Sequence, residues 1–194
     1  MIPRRAALLA GMAALAGCAR TPVPMAALPY DPSIGLADPA RQAIIHTAHA
    51  FGAPASMADK PWEAAQAIQE AEFLAVELNY GPRWIEMSPL PKMLFEQARP
   101  EWRAALGIDP TAQPQVVIDA LTALRYAYGA QDAAAAAAAL RPPLFTPGGA
   151  EAIARLSALP PLPRTAWAGF GSPRCPAAVP SLCPQRAGPV LIPL

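Results

Sequence analysis

Apolar residues recur at helical spacing through the middle of the chain. Between Pro61 and Asn79, an apolar face and a polar face separate at about 100° per residue. The apolar face contains Ala65, Ile68, Ala75 and Val76, and the polar face contains Glu63, Glu70 and Glu77. A second stripe, within residues 114–128, contains Val117, Leu121, Leu124 and Tyr128. These stretches predict the longest helix and the clearest amphipathic helix of the protein.

Prolines and capping residues mark where helices begin and end. Asp38-Pro39, Ser88-Pro89 and Thr146-Pro147 each place a capping side chain before a proline, which is typical of a helix start. The predicted helices cover residues 39–51, 61–79, 89–106 with a break or kink at Pro100, 114–128, 133–140 and 147–159. Pro100 interrupts or kinks the helix that begins at Pro89, because it lacks a backbone donor and disfavours helical geometry at Arg99.

No strand pattern of any length competes with the helical one, so the sequence predicts an all-α fold. We expect a bundle of five to six short helices in residues 38–159. The nine prolines after Leu159 are expected to exclude helices from residues 160–194. This stretch keeps enough apolar residues to form an extended Pro-rich arm, which either lies over the bundle or binds a partner.

The first eighteen residues combine a positive start, an apolar run and a cysteine. Arg4 and Arg5 precede the run from Ala6 to Ala16, whose helix would span about 16 Å, too short for a hydrocarbon core of about 30 Å. The run ends in Leu15-Ala16-Gly17-Cys18. This segment resembles the precursor of a bacterial lipoprotein, and its last four residues resemble the lipobox of that class.

The resemblance implies a signal peptide of residues 1–17 that is cleaved after Gly17, and lipidation of Cys18. In a Gram-negative host, Ala19 is not the aspartate that favours inner-membrane retention, so the implied location is the periplasmic face of the outer membrane. Residues 18–37 contain four prolines and little charge, and we expect them to form an extended tether. No later segment is apolar enough to predict a transmembrane helix.

The charge balance excludes a strongly basic binding surface. Without Arg4 and Arg5, thirteen basic residues stand against fourteen acidic ones. Such a balance provides no basic field for nucleic acid, so no nucleic-acid partner is expected.

Two cysteines remain after Cys18, and they lie eight positions apart. In an oxidising compartment Cys175 and Cys183 predict a disulfide, which in the loop-closure model would remove about 2.5 kcal/mol of unfolded-state entropy. The alternative is a metal pair, but no histidine or second cysteine pair lies near them in the sequence.

Three side chains are candidates for chemistry. Glu72 falls in the middle of an apolar helix face, where an unpaired charge is costly. It either pairs with an arginine of another helix (Arg103 or Arg125), lies at a partner interface, or acts as a catalytic acid. His46 and His49 share a helix face, and they form either a partial metal site or ordinary solvated or hydrogen-bonded histidines. We assign no catalytic residue, metal site or cofactor.

These observations favour a lipid-anchored, non-catalytic scaffold or accessory subunit of an envelope assembly. Its expected partners are the membrane, through the lipid on Cys18, and an envelope protein. The alternatives are a small-molecule carrier and an envelope hydrolase. No G-x-S-x-G turn supports the hydrolase.

Overall fold

The computed structural model describes residues 23–30 and 38–170, and the described chain is all-α as predicted. Within these residues the structure contains seven α-helices. They are α1 (Pro39–Gly52), α2 (Pro61–Tyr80), α3 (Pro89–Leu106), α4 (Pro114–Gly129), α5 (Ala133–Ala139), α6 (Ala150–Ser157) and α7 (Pro163–Phe170). Two 3-10 turns, Pro54–Met57 and Pro82–Trp84, flank α2.

Helix α2 is the centre of the bundle. It packs most extensively against α4, and also against α1, α3 and α6. Five small residues of α2 are fully enclosed, and they let the neighbouring helices approach closely. These residues are Ala64, Ala65, Ala67, Ala71 and Ala75. Because α2 has neighbours on several sides, Glu70 is only 7% exposed although the sequence placed it on the polar face.

The predicted starts of α1, α2, α4 and α5 are confirmed. The carboxylate of Asp38 accepts a hydrogen bond from the N–H of Ala40 at 3.0 Å, and Asp132 accepts one from Ala135 at 2.9 Å. Each bond satisfies a donor that the first turn of a helix leaves unpaired. Helices α2 and α3 have no side-chain cap, so Ser88 does not cap the helix that starts at Pro89.

The predicted interruption at Pro100 is wrong, since α3 runs without a break through this proline. The helix tolerates the missing donor because both of its halves are anchored on the core. Phe95 and Ala98 are buried before Pro100, and Trp102 and Leu106 are buried after it. Continuous packing of this face therefore outweighs the local cost of proline.

Two predictions near the end of the described chain need correction. Helix α6 begins at Ala150 and not at Pro147, since Gly149 has a left-handed φ of 64° and precedes the first helical turn. Residues 163–170 form α7, although prolines were expected to exclude helices there. Pro163 occupies the first turn, where its missing donor costs little, and residues 164–170 contain no proline.

Residues 23–30 have no helical structure and lie against the domain, with Ala26 and Leu28 packed on its core. The side-chain amide of Gln115 accepts a hydrogen bond from the N–H of Ala27 at 2.7 Å and donates one to its carbonyl at 3.2 Å. This paired contact fixes part of the predicted tether to the start of α4. A shorter length of chain is then left to act as a spacer.

Among the described residues, no helix is long and apolar enough to cross a membrane.

Candidate functional site

Two polar clusters lie inside the bundle, and both are organised by carboxylates of α2. Glu72 faces α3 and Glu70 faces α1. At about 100° per residue, side chains two positions apart point in nearly opposite directions. The same helix therefore holds two neighbours through separate polar contacts.

The Glu72 cluster is closed to solvent. Glu72 is 0% exposed, and Trp102 and Arg103 beside it are 0% and 4% exposed. Arg103 donates to both carboxylate oxygens, from Nε to Oε1 at 2.6 Å and from Nη2 to Oε2 at 2.8 Å. The indole N–H of Trp102 donates to Oε1 at 2.8 Å. This bidentate geometry is the strongest form of a carboxylate–guanidinium contact.

Arg103 also holds the loop that joins α3 to α4. Its Nη1 atom donates to the carbonyl oxygens of Pro110 at 3.0 Å and Ala112 at 2.9 Å. One guanidinium thus compensates the buried charge of Glu72 and satisfies backbone acceptors of the loop. Arg99 lies at the edge of the cluster, with its Nε atom 3.7 Å from Oε2 of Glu72.

The geometry agrees with the first of the three interpretations of Glu72, a pair with an arginine of another helix. Arg103 is that partner, and Arg125 is not. Arg125 instead donates to the side-chain oxygens of Gln66 at 2.7 Å and Gln69 at 3.4 Å. Both oxygens of Glu72 accept hydrogen bonds inside the core, so they do not face a surface where a substrate could bind.

The second cluster lies where α1, α2 and α4 meet. The Nδ1 atom of His46 is 2.5 Å from Oε2 of Glu70, and its Nε2 atom is 3.7 Å from Glu63. Gln66 donates from Nε2 to Oε1 of Glu70 at 2.9 Å and accepts from Arg125. These contacts form a chain of side chains from α1 through α2 to α4.

The hydrogen bond to Glu70 raises the pKa of His46 above its ordinary value, and the negative charges of Glu70 and Glu63 act in the same direction. Burial and the charge of Arg125 oppose this increase. The protonated imidazolium is therefore the form that the site favours. Both ring nitrogens of His46 face carboxylates, and neither is directed at a serine of the described residues.

His46 and His49 lie in different environments although they are three positions apart. His46 is partly buried against α2, and His49 is exposed. Across residues 23–30 and 38–170, no three His, Cys, Asp or Glu side chains form a group that could hold a metal ion. The structure therefore gives the two histidines no shared metal geometry.

An open groove of about 350 Å³ lies at the turn between α4 and α5. Tyr128, Ala136 and Ile153 provide apolar surface, and Gln131 and Asp132 provide polar atoms. No lining residue belongs to either polar cluster. The groove and the carboxylates of α2 are therefore separate features of the molecule.

Cys18, Cys175 and Cys183 lie outside the described residues. Lipidation of Cys18 and the disulfide between Cys175 and Cys183 remain predictions from the sequence. The signal peptide of residues 1–17 and the part of the Pro-rich arm that follows Phe170 also lie outside the described residues and remain predictions.

Glu101 is a structural residue that sequence reasoning missed. Its carboxylate accepts hydrogen bonds from the N–H groups of Arg164 at 3.1 Å and Thr165 at 2.8 Å, and from the Thr165 hydroxyl at 2.7 Å. It thereby caps α7 from a position about sixty residues away in the sequence. The residues next to α7 in the sequence do not reveal this cap, because another helix supplies it.

Comparison with protein-family models, with curated proteins and with solved structures finds no match for this chain.

Proposed function

We propose that the protein is a lipid-anchored component of the cell envelope, on the periplasmic face of the outer membrane, that acts as a non-catalytic scaffold or accessory subunit. The observation that carries the proposal is that the candidate catalytic side chains are bound to other residues of the domain. Glu72 is enclosed by Arg103 and Trp102, and His46 is held between Glu70 and Glu63.

These contacts favour a binding role over a catalytic one. A general acid or base must reach the proton that it transfers, within hydrogen-bonding distance of a bound substrate. The carboxylate of Glu72 is 0% exposed and accepts hydrogen bonds from its neighbours in the core, so it does not meet this requirement. The same atoms hold α2 and α3 in a fixed arrangement, which a scaffold needs in order to present a constant surface.

The anchoring part of the proposal rests on the resemblance of Leu15-Ala16-Gly17-Cys18 to a lipobox. One acyl chain gives only marginal membrane binding, whereas two or more give stable attachment. The proposed partners are thus the membrane, through lipid on Cys18, and a protein of the envelope. The near-neutral charge supports a protein partner over nucleic acid.

In-cell crosslinking of the full chain tests this proposal. A photoreactive amino acid replaces Tyr126, whose side chain is 62% exposed on α4, and the adducts are identified by mass spectrometry. We expect one discrete envelope protein attached at fixed positions, and an acylated Cys18 in the same sample. A Cys18→Ser variant is the matched control and should carry no acyl chain at position 18.

The outcome that contradicts the proposal is a Tyr126 position that captures no protein, while a control lipoprotein in the same cells crosslinks efficiently. An unmodified Cys18 in the wild-type protein would separately refute the lipid anchor. The two parts of the proposal therefore fail independently.

The groove between α4 and α5 supports one second candidate, a small-molecule carrier. Its volume of about 350 Å³ lies at the lower end of the range of ligand pockets. Native mass spectrometry of the delipidated protein tests it directly. A bound molecule lost on Ile153→Trp, a substitution that fills the groove, would favour the carrier over the scaffold.

A further inference from the structure

Several structural elements meet at the end of the bundle where α2 finishes, and we call this the tether end. The side-chain amide of Asn79 donates to the carbonyl of Lys92, which places the start of α3 there. Arg83 binds the carboxylate of Asp38 at 2.9 Å and 2.5 Å, which places the start of α1 there. The turn 81–88 joins these elements.

The start of α4 belongs to the same end because α4 runs antiparallel to α2. The last turns of α4 contact the first half of α2, since Arg125 bonds Gln66 and the Tyr128 ring lies 5.7 Å from that of Trp62. Pro114 lies fourteen residues, or about 21 Å of helix, before Tyr128, so the first turn of α4 lies beside the last third of α2. Gln115 in that turn binds Ala27, so residues 23–30 are docked at the tether end as well.

Exposed apolar side chains are concentrated at this end. Of the eleven large hydrophobic side chains that are exposed in the described residues, eight belong to the elements just described. The most exposed are Met25 at 83%, Tyr30 at 80%, Ile85 at 77% and Val23 at 62%, and Leu90 is 56% exposed. The three others are Ile45, Trp62 and Tyr126. A concentration of exposed apolar side chains at one end of a domain indicates an interaction site.

The docked segment also places the tether end close to the lipidated residue. Cys18 and Val23 are five positions apart, and five fully extended residues span at most about 17 Å. The spacer therefore cannot lift this end far from the lipid to which Cys18 is joined. The apolar surface and the anchor point meet at one end of the domain.

We propose that the tether end lies against the bilayer, with its apolar side chains inserted into the lipid interface. This inference rests on the proposed lipid anchor. The tyrosines Tyr30 and Tyr80 suit the position, because amphipathic aromatic rings are favoured at the level of the headgroups. The opposite end, which carries Trp62 and Tyr126, then faces away from the membrane and is free for a protein partner.

The charges at this end indicate apolar insertion and not attraction to anionic lipid. Arg83 is paired with Asp38, and Lys92 donates its Nζ hydrogen to the carbonyl of Trp84 at 2.6 Å. Two exposed residues, Arg41 in the first turn of α1 and Glu86 in the turn 81–88, are of opposite charge type. A polybasic surface would bind anionic vesicles preferentially, and this one should bind neutral and anionic vesicles to a similar extent.

The first test uses a photoreactive amino acid at Ile85 in cells that express the full chain. We expect adducts with phospholipid acyl chains at Ile85 and none at Tyr126, the matched position on the far end. A protein adduct at Ile85, or no adduct, would overturn the inference. The acylation state of Cys18 is measured in the same sample, so a failed anchor is distinguished from a domain that is anchored but oriented differently.

A second test removes the anchor and keeps the surface. The chain from residue 18 onward, with Cys18→Ser and without the apolar run of residues 1–17, is floated with neutral phosphatidylcholine vesicles. Adding Ile85→Ser and Leu90→Ser should weaken its binding by at least about tenfold. Ile45→Ser with Tyr126→Ser is the control pair, of similar exposure but away from the tether end, and should leave binding unchanged. Equal loss with both pairs, or no vesicle binding before substitution, would refute the proposal.

Discussion

Glu70 and Glu72 are two positions apart on one helix, yet they hold different neighbours by different means. Glu72 is enclosed and bound to an arginine, whose charge is permanent. Glu70 lies at the edge of the core and is bound to a histidine, whose charge depends on pH. The burial of a polar contact determines how much stability is lost when the contact is removed. The chemistry of the partner determines whether the contact depends on pH.

The largest expected effect comes from removal of the guanidinium of Arg103. Arg103→Met leaves the Glu72 carboxylate buried without its charge partner, and we expect a loss of about 3–5 kcal/mol in the free energy of unfolding. Urea denaturation followed by circular dichroism measures it. The double variant Glu72→Met with Arg103→Met is the control, and it should recover a large part of the loss because no uncompensated charge remains. Equal stability of the two variants would contradict this account.

The backbone near Arg103 can be disturbed without a change in charge. Gly107 follows α3 with a φ of 67°, and an added Cβ atom would lie 2.0 Å from the carbonyl oxygen of Thr146. Gly107→Ala should therefore lower the free energy of unfolding by about 2–3 kcal/mol. Gly129→Ala is the matched control, since its Cβ atom would have no neighbour within 4 Å. Gly129→Ala should be neutral or should stabilise the protein by up to about 1 kcal/mol. A large loss of stability in Gly129→Ala would contradict the steric explanation given for Gly107.

A third carboxylate, Glu101, tests a contact in which the partner is the backbone. Glu101→Ala removes the cap of α7, and we expect a loss of about 1 kcal/mol, similar to that of other capping residues. Compared with wild type, the variant should show faster hydrogen exchange in residues 163–170, while exchange in α4 should stay the same. Unchanged protection of α7 would mean that its packing against α1 and α3 suffices without the cap.

The smallest effect depends on pH. The pKa of His46 is raised in the folded protein, so its contact with Glu70 stabilises the fold fully below the ordinary histidine pKa of about 6.5. This contribution is lost as pH rises through the folded-state pKa. His46→Gln should cost about 0.5–1 kcal/mol at pH 5.5, a value reduced by partial exposure, and less at pH 9.

Denaturant titrations of wild type and His46→Gln at both pH values measure this difference. His49→Gln is the matched control, because it removes an exposed histidine from the same helix. A His46→Gln cost that increases with pH would reverse the sign that the contact predicts.

The sequence predicted those features that depend on local signals. The starts of α1, α2, α4 and α5 follow from Asp38, Asp132 and the prolines at Pro61 and Pro114, which act within one helical turn. The misplaced charge at Glu72 was also visible, because a carboxylate on an apolar face needs a partner, and Arg103 was one of two candidates.

The missed features depend on contacts between distant parts of the chain. The continuity of α3 through Pro100 comes from packing on α2, and the cap of α7 comes from Glu101. The pairing of His46 with Glu70 depends on how α1 and α2 are rotated relative to each other. The periodicity of each helix does not reveal this rotation. Without that rotation, Glu70 was assigned to a solvent-facing stripe.

We interpret the polar contacts of α2 as holding the fold together, and we propose that the protein acts through its surface. Crosslinking from position 126 in cells, with wild type and the Glu72→Met/Arg103→Met variant side by side, tests it most directly. The account predicts that the folded variant captures the same envelope protein at the same positions as wild type. Loss of that protein from a variant that folds and keeps its lipid would contradict the claim and return Glu72 to a functional role.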